Sequence, residues 1–225
     1  MIPRGRIRKE SVFSTEMNQE RKFEIYLPSQ YSRRGIPILN GTTLAYPVIY
    51  FLHNYFTDPS KFRDLYNWLD QEIYHRRIPP VIAVLPDGSV PFYAGSMFVD
   101  SDAFGRVQSF IVNELVPIVE DRFFTERKAQ YRAVIGYGMG GYGALRLAWE
   151  YPNVFATAAA HSPPTDFNWT NAALHEVRDA RVLCILTRRP SKRVSWKNLV
   201  RNWIIAQQMA HILPFCTLNQ VLLVN

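Results

Sequence analysis

Cysteine is scarce: 225 residues hold only Cys184 and Cys216, each inside an apolar run. That excludes a small disulfide-stapled fold, and each thiol reads as a free, buried core residue rather than half of a bridge. Two cysteines decide little about compartment. Long hydrophobic runs are missing too. No stretch reaches the ~18 apolar residues of a membrane-spanning helix. Behind the basic start, M-I-P-R-G-R-I-R-K-E, lies no apolar segment of the kind a secretory leader carries. A cytoplasmic location is expected on that ground; a domain cut from a longer secreted protein is the alternative. Acidic residues are outnumbered, 19 against 26 Lys and Arg, giving a formal net charge of +7. This balance favours acidic partners or anionic surfaces but defines no site. Repeats and low-complexity tracts are absent. Apolar residues make up 48% of the chain, enough for a substantial core and too many for global disorder.

What is present is an alternation of strand and helix patterns. Residues 1–20 are read as a basic N-terminal arm and 21–225 as a single domain. R-K-F-E-I-Y-L-P at 21–28 alternates polar and apolar, as an outer strand with one wet face does. Nearly continuous apolar runs at 46–52 and 80–85 suit strands buried on both faces of a sheet. Strands are also expected at 131–135, 154–160, 181–187 and 218–224. Helical spacing covers 61–76, with Phe62, Leu65, Leu69 and Ile73 on one face, and 104–124, where Pro117 is expected to kink or divide the run. Further helices are predicted over 139–150 and 195–211. Such alternation implies a mostly parallel central sheet with helices on both faces. Ligands of such sheets lie beyond the carboxyl ends of the strands. The loops after residues 52, 85, 136, 160 and 187 therefore face the expected site.

The densest chemical signal is A-V-I-G-Y-G-M-G-G-Y-G-A-L at 133–145. A strand ends at Gly136 and a helix starts about three residues on. Gly136, Gly138 and Gly140 remove Cβ atoms where strand and helix crowd each other. The helix start turns free N–H groups and a partial positive charge into the pocket. Three readings fit. The frame matches a nucleophile elbow, G-x-S-x-G, with Gly138 where serine would stand. It also matches G-x-G-x-x-G from Gly136, but no acidic residue ends a following strand to hold a ribose; Glu150 lies at a helix end. It can also be a tight turn without a ligand.

Several stretches together resemble the esterase D and antigen 85 type of α/β-hydrolases, which includes S-formylglutathione hydrolases, feruloyl esterases and mycolyltransferases. They are F-E-I-Y-L-P-S-Q-Y at 23–31, Y-P-V-I-Y-F-L-H-N at 46–54, P-P-V-I-A-V-L-P-D-G at 79–88, F-I-V-N-E-L-V-P-I-V-E at 110–120, the elbow at 131–145, Y-P-N-V-F at 151–155 and H-S-P at 161–163. The resemblance implies an α/β-hydrolase fold, α/β in class, with its C-terminal part shortened. It implies a serine that attacks an ester or thioester carbonyl, a histidine that takes its proton, an acid that orients the histidine, and two backbone N–H groups that hold the oxyanion. It implies no cofactor and no metal.

This chain departs from that pattern at each reactive group. Gly138 has no side chain, and Tyr137 is not the position that the elbow exposes. T-R-R-P-S-K-R after 181–187 has no carboxylate, and the last expected strand runs to Asn225. Asp166, Asp179, His175 and His211 are leftover acid and histidine candidates, none where the resemblance wants it. What survives is the Met139 N–H as half an oxyanion hole, with Tyr55 as the expected other half. Asn54 replaces the family's glycine in that loop. His53, Asn54, Tyr137 and His161 are the pocket candidates, His53 in a structural role through its ring nitrogens. A catalytically impaired esterase relative is expected, whether a non-catalytic member, a truncated gene product, or a chain with an introduced change at 138. A binding module is the rival. One version uses the pocket for a small ester, acyl, carbohydrate or protein ligand, with Tyr55, Phe56, Phe92, Tyr93 and Trp169 as lining aromatics. The other uses basic groups, Arg4, Arg6, Arg8 and Lys9, and Arg188, Arg189, Lys192, Arg193, Lys197 and Arg201, to hold nucleic acid or an anionic polymer. Charge runs more often form solvated faces, so nucleic acid is not the expected partner. A homo-oligomer or other partner is expected to cover sheet surface left bare by the absent final helix.

Overall fold

A computed structural model describes residues 1–37, 43–91, 95–161, 163 and 181–185. The chain opens with two long strands, β1 (Arg6–Ser14) and β2 (Gln19–Leu27), then two short ones, β3 (Ile36–Pro37) and β4 (Thr43–Leu44). β5 (Val48–Leu52) leads to helix α1 (Arg63–Tyr74) and β6 (Ile82–Pro86). A small pair, β7 (Asp100–Ser101) and β8 (Gly105–Arg106), precedes a helical run over 107–122. β9 (Arg132–Tyr137), α4 (Met139–Glu150), β10 (Thr157–His161) and β11 (Arg181–Ile185) follow.

Seven strands form one sheet in the order β1-β2-β6-β5-β9-β10-β11. From β6 to β11 every pairing is parallel; β1 and β2 join antiparallel at one edge. The mostly parallel sheet inferred from the alternation is therefore present. Period-two geometry divides each strand between two cores. In β5, Val48, Tyr50 and Leu52 face a cluster with Phe110, Leu115, Val119 and Leu147, whereas Ile49 and Phe51 face Leu65, Trp68 and Leu69 of α1. Helices thus cover both faces. All five β5 residues are buried, which is why 46–52 reads as a continuous apolar run.

The N-terminal arm needs correction. Residues 6–14 form β1, paired with β2 from Arg6 opposite Leu27 to Ser14 opposite Gln19. Positive charge hid the strand, but charged side chains are what an exposed edge strand carries to discourage further pairing. For the same reason β2 is not an outer strand: β1 covers it on one side and β6 on the other. β10 starts three residues later than expected, at Thr157.

The helical run over 107–122 is divided, as Pro117 foretold, but by widening rather than by a break. α2 (Val107–Ser109) passes into a π-helix at Phe110–Leu115 and then α3 (Val116–Arg122). The Val116 N–H reaches back to the Ile111 carbonyl, one residue further than in an α-helix. Proline has no N–H to offer the preceding turn and its ring crowds that carbonyl, so the wider turn falls just ahead of it. The same segment carries Glu114 against the β1–β2 turn, where its carboxylate accepts from Ser14 Oγ at 2.5 Å, from the Thr15 N–H at 2.8 Å and from the Glu16 N–H at 3.1 Å. The expected elements at 195–211 and 218–224 lie outside the described residues.

Candidate functional site

In sheets of this order, the ligand crevice is expected where the strand order reverses, which here is beyond the carboxyl ends of β5, β6, β9 and β10. β5 delivers His53, Asn54 and Tyr55; β6 delivers Asp87 and Gly88; β9 delivers Tyr137 and Gly138; β10 ends in His161.

The turn between β9 and α4 is as tight as the glycines suggest. Gly138 has φ +55° and ψ −117°, a backbone state costly for a residue with a side chain. Its N–H donates to the His161 carbonyl at 2.9 Å, and its own carbonyl accepts from the Tyr142 N–H at 3.1 Å. A Cβ on Gly140 would press into the Leu52 carbonyl and lie 2.6 Å from the His53 carbonyl oxygen, so α4 can cross the end of β5 this closely only with glycine there. The helix start brings the Met139 N–H into the crevice. That donor is taken: the Asn54 side-chain oxygen Oδ1 accepts from it at 3.0 Å.

His53 is 2% exposed and both ring nitrogens are engaged. Nδ1 lies 2.8 Å from the Asn54 carbonyl, and Nε2 accepts the Gly88 N–H at 2.8 Å. Nε2 also lies 3.6 Å from Asp87 Oδ1. It cannot accept from Gly88 and donate to Asp87 at once; the shorter bond selects the neutral ring, protonated on Nδ1. Burial opposes ionisation of the Asp87 carboxyl, but the hydrogen bonds from Ser89 hold it below the ordinary carboxylate range. With the ring neutral, the Ser89 N–H at 2.9 Å is the firm partner of the carboxylate. His53 is therefore a strut between the β5 and β6 loops, with no nitrogen left to take a proton from a substrate.

The remaining candidates sit around the rim. The Tyr55 hydroxyl donates to the Met97 sulfur. Phe56 is 88% exposed at φ +54°. Tyr137 is 42% exposed, its ring 5.1 Å from the half-buried His161 ring. Of the residues to which the sequence pointed, Asn54 meets Met139, both Gly138 and Tyr137 meet His161, and His53 and Tyr55 flank Asn54 at the end of β5. The sequence did not reveal that the Asn54 side chain reaches Met139, or that Gly88 anchors His53. Asn54 standing where the resemblance wants glycine was the available hint. Asp166, His175, Asp179, His211, Phe92, Tyr93, Trp169 and the basic group at 188–201 lie outside the described residues. Among the described residues no cluster of His, Cys, Asp or Glu is arranged to hold a metal ion, and no helix is long and apolar enough to cross a membrane.

Comparison with known proteins agrees with this fold. Esterase Rv1288 of Mycobacterium tuberculosis is 33% identical over 143 residues, covering 62% of this chain and 28% of that protein. Protein YjcH of Bacillus subtilis is 30% identical over 169 residues, 74% of this chain and 65% of the other. The chain thus spans between about a quarter and two thirds of these relatives. Among solved structures, the S-formylglutathione hydrolase of Agrobacterium tumefaciens superposes with a TM-score of 0.58 at 18% identity, covering 81% of this chain and 66% of that one. A ferulic acid esterase of Anaeromyces mucronatus, solved with ferulic acid, gives 0.56 at 19% identity, covering 71% and 58%. These two likenesses establish the α/β-hydrolase fold. Residues 14–209 match the Esterase family, described as "Putative esterase", and the chain belongs to that family.

Proposed function

We propose that this chain is an esterase-like protein whose ester hydrolysis is impaired, because the elbow presents Gly138 where the chemistry needs an attacking atom. Nucleophilic catalysis requires an oxygen or sulfur at the turn, a base within hydrogen-bond reach and an orienting acid. Glycine supplies none of the first. His53 cannot supply the second, because both its nitrogens are committed. Half of an oxyanion hole persists as the Met139 N–H, with Tyr55 proposed as the source of the other donor. Loss of triad residues in a serine protease leaves roughly 10³-fold acceleration through the intact hole and binding contacts. Here the Met139 donor is already bonded to Asn54, so a smaller residue of activity is expected.

A second reading is favoured by the exposed rings of Phe56 and Tyr137, which follow the ends of the neighbouring strands β5 and β9. Flat aromatic surface beside a hydrogen-bonding cleft suits an acyl, aryl or carbohydrate ligand, bound without being cleaved. Purified protein assayed on p-nitrophenyl acetate, butyrate and octanoate separates these readings from an active enzyme. Rates within about tenfold of buffer are expected. Saturable turnover that disappears on substituting a residue of this crevice would refute the impaired-esterase proposal.

A further inference from the structure

One side chain touches both the space that a nucleophile would fill and the donor that an ester oxygen would use. A Cβ built on Gly138 would collide with Asn54 Oδ1 and lie 2.6 Å from Asn54 Cγ and 2.9 Å from Nδ2. The same Oδ1 accepts the Met139 N–H at 3.0 Å. We propose that Asn54 is a displaceable plug of the elbow: its carboxamide occupies the nucleophile's space and the Met139 donor, and a side chain at 138 or a ligand carbonyl reaches that donor only by turning Asn54 away. This deepens the impaired-esterase reading and rests on it for the identity of the turn as an elbow.

The plug is of the right chemistry. A carboxamide oxygen is an sp² acceptor like an ester carbonyl, so the resting site is satisfied by an internal copy of the group it would otherwise bind. It is also movable. The atoms that would meet a Cβ at Gly138 are the end of a flexible side chain, whereas those at Gly136 and Gly140 are backbone. The Asn54 main chain is fixed independently: its carbonyl accepts from Thr57 Oγ1 at 2.7 Å and lies 2.8 Å from His53 Nδ1. Rotation of the side chain therefore gives up the bond to Met139 without moving the loop. A single neutral hydrogen bond favours the closed arrangement by about five- to tenfold, small enough for a well-fitting ligand to overcome.

Two measurements on the full chain test this. In ¹⁵N spectra, Asn54→Ala is expected to shift the Met139 amide upfield and speed its exchange with solvent about five- to tenfold. In thermal unfolding, Gly138→Ser is expected to lower Tm by about 2–4 °C more with Asn54 present than in the Asn54→Ala background, the difference isolating the collision from the backbone strain common to both. Gly138→Ala serves in the same cycle if the serine variant does not fold. An unchanged Met139 amide, or additive Tm effects, overturns the plug. Ester turnover by the natural chain would sink the impaired-esterase reading and leave the Asn54–Met139 bond standing, so the two failures are distinguishable.

Discussion

Tyr50 carries the one hydroxyl in β5, and its surroundings give that group nothing to bond. The side chain is fully buried, its ring edge-on to Phe155 at 5.3 Å, and the hydroxyl has no hydrogen-bond partner among the described residues. Burial pushes its pKa well above the ordinary phenol range, so it is neutral at any accessible pH. An unsatisfied buried hydroxyl is a cost, and Tyr50→Phe removes it while keeping the ring. The variant is expected to be more stable by about 1 kcal/mol in urea unfolding; a loss of stability would mean the hydroxyl has a partner after all. Asp87 works in the opposite sense. With the Ser89 hydrogen bonds holding it, its folded pKa lies below the unfolded value of about 3.9. Its ionised form therefore stabilises the fold above that unfolded value, and the contribution is lost as pH falls below about 4 through the lower folded value. Urea midpoints taken across that window should decline less steeply in Asp87→Asn than in the natural chain. Equal slopes would show that the carboxylate is not specially held. Gly138 and Asn54 belong here as well: the turn presents only hydrogen at 138, and a Cβ there would meet the Asn54 carboxamide.

Among the elements, α4 shows local preference losing to tertiary contact. Three of its first five residues, Gly140, Gly141 and Gly143, are poor helix formers, and helix propensity alone would gain about 1 kcal/mol from Gly140→Ala. The close crossing over Leu52 and His53 reverses the sign, because the colliding atoms are backbone and cannot swing away. We expect Gly140→Ala to destabilise by about 3 kcal/mol or more, read from the urea midpoint. A neutral or stabilising result would mean that α4 sits further from β5. The 107–122 run teaches the reverse lesson. There the sequence carried the disturbance openly, as Pro117, and only its form, a π-turn ahead of the proline, needed coordinates. β1 was hidden because a charged edge strand and a solvated arm share one composition. Its partner β2, not its own residues, makes it a strand.

Across the full sheet, two cores stand on opposite faces and share strands but not side chains. Leu69 belongs to the α1 side and Leu147 to the α4 side, both with no exposed surface. Each Leu→Ala change is expected to cost about 2–5 kcal/mol, and the double variant to equal the sum within about 0.5 kcal/mol, because the pair has no common contact. Strong non-additivity in chemical unfolding would show that the faces do not behave as independent packing units. The sequence by itself determined the fold class and the main strands and helices from β2 to β10, but not the short pairs β3–β4 and β7–β8, which fall in or beside stretches that read as loops. The main elements follow from hydrophobic period and from turn-forming glycines, which are local properties of a chain. What only the tertiary structure decided was the pairing of β1, the commitment of both His53 nitrogens, and the reach of Asn54 to the Met139 amide. Each of these depends on segments distant in sequence meeting at hydrogen-bond range. Asn54 and Met139 are 85 positions apart, and no periodicity encodes a contact made across two neighbouring strand ends.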